Sequence, residues 1–207
     1  MKTHIKLGNS HVAVEVIKHK NSPVNIILVH GISNNMNDPL ISLIFKSLKN
    51  KHSILRFNFS FTNKKVEPEE KRNLAEIKAV MNYFNNDNLV IIGKSYGGYL
   101  SVFLAKKNTG IKKIITLGYP LYHKNNPKKM FPQAHLKQAK IPVIFILGRH
   151  DDRCDIKTFK KKFPELKAYL LKNANHSLLA SDGNISEENS KKIISIINNE
   201  IDILSIS

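Results

Sequence analysis

Residues 89–98 read LVIIGKSYGG, an apolar run that leads directly into a Gly-x-Ser-x-Gly motif. The apolar run predicts a buried strand, and the apolar residues of 99–105 predict a helix packed on that strand. A serine in a sharp strand-to-helix turn takes strained backbone angles, and a glycine on either side lets the chain pass close to it. This context indicates a nucleophile elbow at Ser95, with its hydroxyl at a helix N-terminus. The alternative is an ordinary strand, turn and helix with small residues for tight packing.

The size and composition of the chain suit one domain, residues 1–207, with a single core, because 207 residues with 42% hydrophobic content can bury enough apolar surface. We find no apolar N-terminal segment typical of a signal peptide, and no apolar run long enough to cross a bilayer. The single cysteine, Cys154, has no partner for an internal disulfide. We therefore expect a cytoplasmic protein without a membrane partner.

The formal net charge of +17 raises the question of nucleic-acid binding. The excess consists almost entirely of lysine, with 29 Lys against 4 Arg, whereas base and phosphate recognition relies on bidentate arginine. The lysines are scattered, which favours a solvated surface over a lysine-rich nucleic-acid binder. We expect no specific nucleic-acid partner and only weak attraction to anionic polymers or substrates.

The order of the predicted elements indicates the fold class. Residues 2–17 alternate around Gly8-Asn9-Ser10 and predict an antiparallel N-terminal hairpin. Apolar strands and amphipathic helices then alternate along the chain, while residues 121–140 read as a loop with room for one short helical turn. The pattern predicts a three-layer α/β fold with a mostly parallel sheet covered on both faces. In such sheets a site lies beyond the carboxyl ends of the strands.

Three chemically suitable residues follow predicted strands in the order that a serine nucleophile requires. A serine needs a base, the base needs an orienting acid, and an elbow serine is followed along the chain first by the acid and then by the histidine. Ser95, Asp151 and His176 have that order. His176 is predicted to accept the proton of Ser95 and return it to the leaving group. Asp151 is predicted to fix the tautomer of the imidazole.

Each of these assignments has an alternative. Three other acids compete for the orienting role, namely Asp152, Asp155 and Asp182. Asp151 could instead cap a helix, and His176 could lie in a surface loop. His150 is expected to point elsewhere, and Cys154 is expected to pack in the core. We find no Cys/His cluster with metal-ligand spacing and no phosphate or dinucleotide fingerprint, so we expect no metal and no cofactor.

Six motifs spread along nearly the whole chain are His30-Gly31, Met36-Asn37, Gly93-Lys94-Ser95-Tyr96-Gly97-Gly98, Tyr119-Pro120-Leu121, Asp151 with Cys154, and Ala174-Asn175-His176-Ser177. With these motifs the chain resembles the α/β-hydrolase superfamily, and more narrowly the group that contains testis-expressed protein 30 and bacterial dienelactone-hydrolase-like proteins. The basic residue before the serine, Lys94, is a rather specific mark of that group. Tyr96 and Tyr99 depart from the methionine and arginine expected there.

The resemblance implies roles for several further residues. The backbone N–H groups of Ile32 and Tyr96 would form an oxyanion hole, and His30 would brace the loop that holds Ile32. Lys94 and Tyr119 are assigned to substrate binding. Other cations near the predicted site, Lys124, Lys128 and Arg149, would join Lys94 in favouring a substrate with negative charge.

The leading hypothesis is a small serine hydrolase that cleaves a carboxylic ester or thioester of small size through an acyl-enzyme on Ser95. The alternative is a scaffold or binding protein that keeps the fold with little activity. Residues 118–140 are too few for a helical cap domain, so we predict no cap and an open, shallow pocket. Such a pocket favours short acyl chains.

Overall fold

The computed structural model describes residues 1–7, 10–62, 67–85, 87–106, 110–123 and 126–206. The strands are β1 (Lys2–Leu7), β2 (Ser10–Ile17), β3 (Asn25–Val29), β4 (Ser53–Phe57), β5 (Leu89–Lys94), β6 (Ile111–Leu117), β7 (Tyr122–His123), β8 (Asn126–Met130), β9 (Val143–Gly148) and β10 (Lys167–Leu171). The α-helices are α1 (Pro39–Leu48), α2 (Glu70–Asn82), α3 (Tyr96–Phe103), α4 (Ala134–Lys137), α5 (Ile156–Lys162) and α6 (Glu187–Ile206). A 3-10 turn, Leu104–Lys106, follows α3.

Within the described residues, eight strands form one sheet in the order β1-β2-β4-β3-β5-β6-β9-β10. The pairs β1/β2 and β2/β4 are antiparallel, and the other neighbouring pairs are parallel. The prediction of a mostly parallel sheet with an antiparallel N-terminal hairpin is confirmed. Gly8 and Asn9, which belong to the predicted turn of that hairpin, lie outside the described residues.

Two apolar cores cover the two faces of the sheet. Helices α2, α3 and α5 pack on one face through buried side chains such as Ile77, Leu100 and Phe159. Helices α1 and α6 pack on the other face through side chains such as Ile44 and Ile197. The strands in the middle are apolar on both faces because both faces are buried. The predicted three-layer α/β arrangement is thus confirmed.

Helix α6 is joined to the sheet by a buried ion pair. Lys113 of β6 places its Nζ atom 2.7 Å from Glu200 Oε2 and 2.6 Å from the backbone carbonyl oxygen of the same glutamate. The other carboxylate oxygen of Glu200 accepts the Tyr169 hydroxyl at 2.8 Å. In the part of the chain that the structure describes, no helix is long and apolar enough to cross a bilayer.

The segment between β6 and β9 is more ordered than the sequence indicates. It holds the predicted short helical turn, α4, and in addition the β7–β8 hairpin, which the sequence does not predict. The hairpin pairs Tyr122 with Met130 and His123 with Asn126 through an irregular register, which erases the period-2 alternation that predicts strands. A stack of His123 on Phe131, with centroids 3.8 Å apart, holds it in place. Among the described residues of this segment there is no helical cap domain.

Candidate active site

Ser95 lies at a strained turn between β5 and α3. Its backbone angles are φ 48° and ψ −115°, a region that non-glycine residues rarely occupy. The turn is held by backbone hydrogen bonds from Ser95 N–H to the carbonyl of Leu117 and from Tyr99 N–H to the carbonyl of Ser95, both 2.9 Å. A Cβ atom at Gly97 would lie 2.5 Å from the carbonyl oxygen of His30, so only glycine allows this close approach. The sequence and its surroundings together fix the serine in this turn.

Three side chains form a continuous series of hydrogen bonds. The Oγ atom of Ser95 lies 2.8 Å from His176 Nε2, and His176 Nδ1 lies 2.9 and 3.1 Å from the two carboxylate oxygens of Asp151. A carboxylate only accepts hydrogen bonds, so Nδ1 carries the imidazole proton and Nε2 is free to accept from the serine hydroxyl. The structure therefore brings together the three residues that the sequence order selected.

The competing acids have other positions. Asp152 and Asp182 are exposed, and Asp182 accepts the backbone N–H of Asn184 at 2.9 Å. Asp155 is the N-cap of α5, where its carboxylate accepts the N–H of Thr158 at 2.7 Å. Asp151 is not a helix cap, although its Oδ1 accepts the backbone N–H of Arg153 at 2.8 Å, which helps to orient the carboxylate. Of the four acids, the one that meets the imidazole is Asp151.

The loop that carries His176 is packed tightly against the ends of two strands. Gly118, directly after β6, has φ +63°, and a Cβ atom there would overlap the carbonyl oxygen of His176. On the side of β9, the backbone N–H of His150 donates to the carbonyl of Ala174 at 2.9 Å. The side chain of His150 is exposed, as expected. The position of the imidazole thus depends on backbone contacts as well as on Asp151.

The segment after β3 lies directly beside the serine. A Cβ atom at Gly31 would lie 3.4 Å from Ser95 Cβ. Next to it, His30 is fully buried and donates from Nδ1 to the carbonyl of Gly31 at 2.7 Å. Its Nε2 accepts the backbone N–H of Phe59 at 3.1 Å and the hydroxyl of Thr62 at 3.2 Å. Burial lowers the pKa of His30 to about 4, so the ring is neutral near pH 7 and braces the segment, as expected.

The two predicted oxyanion donors belong to segments on either side of Ser95. Tyr96 is the first residue of α3, where a backbone N–H has no intrahelical partner. Its ring packs near Phe59 and Phe61, and burial raises the pKa of its hydroxyl to about 12. Ile32 follows Gly31 and is 41% exposed. The oxyanion hole formed by these two N–H groups stays a prediction.

The expected substrate contacts of Lys94 and Tyr119 are wrong. Lys94 Nζ lies 2.6 Å from Asp38 Oδ2, and the two side chains are only 6% and 1% exposed. Tyr119 is fully buried, donates its hydroxyl proton to Gln133 Oε1 at 3.1 Å and accepts from His135 Nε2 at 2.8 Å. Both residues stand at strand ends, but their side chains turn into the protein, where a substrate does not reach them.

The buried pair of Lys94 and Asp38 is the main feature that sequence reasoning missed. The sequence shows Asp38-Pro39 as a helix start, and Asp38 Oδ1 does accept the N–H groups of Leu40 and Ile41 at 3.0 and 3.3 Å. Nothing local indicates that the second oxygen meets a lysine 56 residues further along. Removing one partner of such a buried pair costs about 3–5 kcal/mol, because a desolvated charge is left unpaired.

The remaining candidate residues have different surroundings. Cys154 is fully buried, and burial raises the pKa of its thiol, so it stays protonated and packs in the core as expected. Arg149 is exposed, while Lys124 and the side chain of Lys128 lie outside the described residues. Among the described residues, no group of three His, Cys, Asp or Glu side chains is placed to hold a metal ion.

The chain matches a known protein family and superposes on several solved structures. Residues 22–202 match the family described as alpha/beta hydrolase domain. An alpha-beta serine hydrolase homologue from Coxiella burnetii superposes with a TM-score of 0.75 at 17% identity, over 97% of this chain and 96% of that chain. Est1E from Butyrivibrio proteoclasticus, in a structure with bound ferulic acid, superposes with a TM-score of 0.72 at 15% identity, over 96% of this chain and 99% of that chain. Carboxylesterase CesB from Bacillus subtilis superposes with a TM-score of 0.73 at 12% identity, over 95% of this chain and 90% of that chain. At these identities the likeness shows a common fold.

Proposed function

This chain belongs to the alpha/beta hydrolase domain family, and from that premise we propose that it is a serine hydrolase that cleaves a small carboxylic ester or thioester. The observation that carries the proposal is the hydrogen-bonded series from Ser95 through His176 to Asp151, at the carboxyl ends of parallel strands. A strained elbow, an imidazole within hydrogen-bond distance of the serine and a buried acid form the constellation that activates a serine hydroxyl. A protein of the same fold that is described as a carboxylesterase, CesB, supports the same class of reaction.

Acylation would begin when Ser95 Oγ attacks the carbonyl carbon of the substrate. His176 Nε2 takes the hydroxyl proton as the new C–O bond forms, and the carbonyl oxygen becomes an oxyanion. Asp151 stabilises the resulting imidazolium through its bonds to Nδ1. The imidazolium then donates its proton to the leaving alcohol or thiol, the C–O or C–S bond breaks, and the acyl group stays on Ser95.

Deacylation would use the same groups with water in place of the alcohol. His176 takes a proton from the water as its oxygen attacks the acyl carbon, and the proton returns to Ser95 Oγ when the acid leaves. In both halves the oxyanion would accept from the N–H groups of Ile32 and Tyr96. Loss of one such donor typically costs about 10²–10³-fold in kcat.

The experiment that tests this proposal is labelling with a fluorophosphonate probe, which reacts with an activated serine. We expect the native protein to be labelled and Ser95→Ala to stay unlabelled. Ser47→Ala is the matched control, because Ser47 is exposed on α1 and donates to the carbonyl of Leu43 within its own helix. His176→Ala should label at least 10²-fold more slowly than the native protein, since the base is removed.

The alternative function is a scaffold or binding protein with little activity. A native protein that resists the probe and hydrolyses no ester or thioester would favour the scaffold.

The narrower likeness to the group of testis-expressed protein 30, carried by Lys94 before the serine, belongs to the hydrolase proposal as well. So do the cytoplasmic location and the absence of a cofactor, which we expect from the sequence.

A further inference from the structure

The pair formed by Lys94 and Asp38 occupies a special place relative to Ser95. Lys94 is the last residue of β5 and immediately precedes the serine. Its ammonium group lies 2.6 Å from Asp38 Oδ2 in surroundings almost closed to water. Charge-assisted hydrogen bonds of this kind are short and directional, and burial strengthens them. The ion pair thus connects the backbone next to Ser95 with Asp38 at the start of α1.

Asp38 is the last residue of the 30–38 loop, the segment that joins β3 to α1. One of its carboxylate oxygens caps α1 by accepting the N–H groups of Leu40 and Ile41, and the other accepts from Lys94. The carboxylate therefore fixes where α1 begins and, at the same time, where the loop ends relative to Ser95.

The rest of the 30–38 loop is held by independent contacts. At its start, His30 bonds to the carbonyl of Gly31 and to the segment at Phe59. In its middle, the backbone N–H of Met36 donates to Asn58 Oδ1 at 2.7 Å, and the carbonyl of Met36 accepts from Arg56 at 2.9 Å. None of these contacts reaches the strand that carries the serine. The loop starts beside β5, because β3 pairs with β5 as far as Val29 and Gly93, and Gly31 lies against Ser95. At the far end of the loop, among the described residues, the side chain of Lys94 links β5 to Asp38.

We propose that Lys94 and Asp38 are positioning residues that set the distance between the Ser95 hydroxyl and the backbone N–H of Ile32. This inference rests on the proposed hydrolase function, because it assigns the pair a role in alignment of the oxyanion donor with the nucleophile. The two groups that must align stand on different segments, and the ion pair joins those segments near Ser95. A misplacement of about 1 Å in such an arrangement can cost about 10²-fold in rate.

The test compares Lys94→Met, the double variant Asp38→Asn/Lys94→Met and a control at a second buried pair. In the double variant, asparagine keeps the N-cap of α1 and no unpaired charge remains, so stability should recover relative to Lys94→Met. Lys113→Met is the control, because Lys113 and Glu200 are equally buried but lie nearer the opposite end of the sheet. Each variant is assayed for hydrolysis of p-nitrophenyl acetate well below its unfolding temperature.

We expect kcat to fall at least about tenfold in Lys94→Met and in the double variant, with KM changed less than twofold. Lys113→Met should lose stability and keep the native kcat. A double variant that regains native kcat together with native stability would show that the pair only supports the fold, and the proposal would be wrong. Equal losses of kcat in Lys94→Met and Lys113→Met would also contradict it.

Hydrogen exchange gives a readout that does not need activity. Amides of residues 31–38 should exchange at least tenfold faster in the double variant than in the native protein, and at the native rate in Lys113→Met. If exchange in the double variant is unchanged, the pair does not hold the loop, whatever the enzyme activity. If exchange in the loop becomes faster but the native protein has no esterase activity and resists the fluorophosphonate probe, the proposed function is wrong, while the ion pair of Lys94 and Asp38 still holds the loop.

Discussion

Replacing Gly118 with alanine should displace the loop that carries His176. Gly118 has φ +63°, where a residue with a side chain costs about 1–2 kcal/mol more than glycine. The added Cβ atom would also overlap the carbonyl oxygen of His176, a backbone atom that has no alternative rotamer. Relief of the overlap requires a shift of about 1 Å or more to reach ordinary van der Waals separation.

Gly183→Ala provides a matched control for the backbone strain alone. Gly183 has φ +80°, and a Cβ atom there would meet no atom within 4 Å. We expect this variant to lose about 1–2 kcal/mol in urea unfolding and to keep the native kcat. Gly118→Ala should lose more free energy of unfolding than Gly183→Ala, and its kcat for p-nitrophenyl acetate should fall about 10²-fold.

The comparison of the two glycine variants can refute this reasoning. If they lose the same free energy of unfolding and both keep the native kcat, the loop accommodates the methyl group without moving His176. The tight packing between β6 and the loop would then have no part in positioning the imidazole. A loss of kcat in Gly183→Ala would equally show that backbone strain, rather than the overlap, disturbs the site.

Three further predictions concern pH, substrate length and charge. His30 is protonated near pH 6.5 in the unfolded state and near pH 4 in the folded state, so its contribution should lower the free energy of unfolding by about 3 kcal/mol as pH drops through that range. His30→Gln should lose correspondingly less free energy of unfolding over the same range, and an equal loss in the two proteins would contradict the assignment. For a series of aryl esters, kcat/KM should fall with acyl length, because an open site does not bury the added methylenes and so does not gain the binding free energy of about 0.8 kcal/mol that each buried methylene supplies. A steady rise with acyl length would indicate an apolar tunnel. Binding to DNA should be non-specific and fall steeply between about 50 and 200 mM salt; nanomolar, sequence-selective binding at physiological salt would overturn this expectation.

The parts of the fold that the sequence predicts are those coded by continuous local patterns. Strand β9 is a continuous apolar run that ends in glycine, β5 opens with the apolar run of residues 89–92, and the elbow combines such a run with glycines at fixed spacing. These signals depend on neighbours along the chain. The β7–β8 hairpin has no such signal, because one of its strands has two residues and its register is irregular. Its stability comes from contacts such as the stack of His123 on Phe131.

Side-chain direction explains the site residues that sequence reasoning placed wrongly. The strand-end rule brings Lys94 and Tyr119 to the correct edge of the sheet, but it does not state what lies beside them. The direction of Lys94 depends on a carboxylate 56 residues away in sequence, and that of Tyr119 on a histidine in a segment without clear periodicity. Ser95, Asp151 and His176 come together because the chain order and the strand ends already restrict them to one region.

The burial of Lys94 has a practical consequence for a protein with so many amines. Reagents that acylate or methylate lysine act on amino groups that water can reach. Lys137, Lys157 and Lys160 are exposed and open to such reagents, whereas Lys94 and Lys113 are closed off with their acidic partners. The protein can therefore be coupled to a resin through its outer amines, or methylated to alter its surface for crystallisation, while both internal lysines keep their native chemistry.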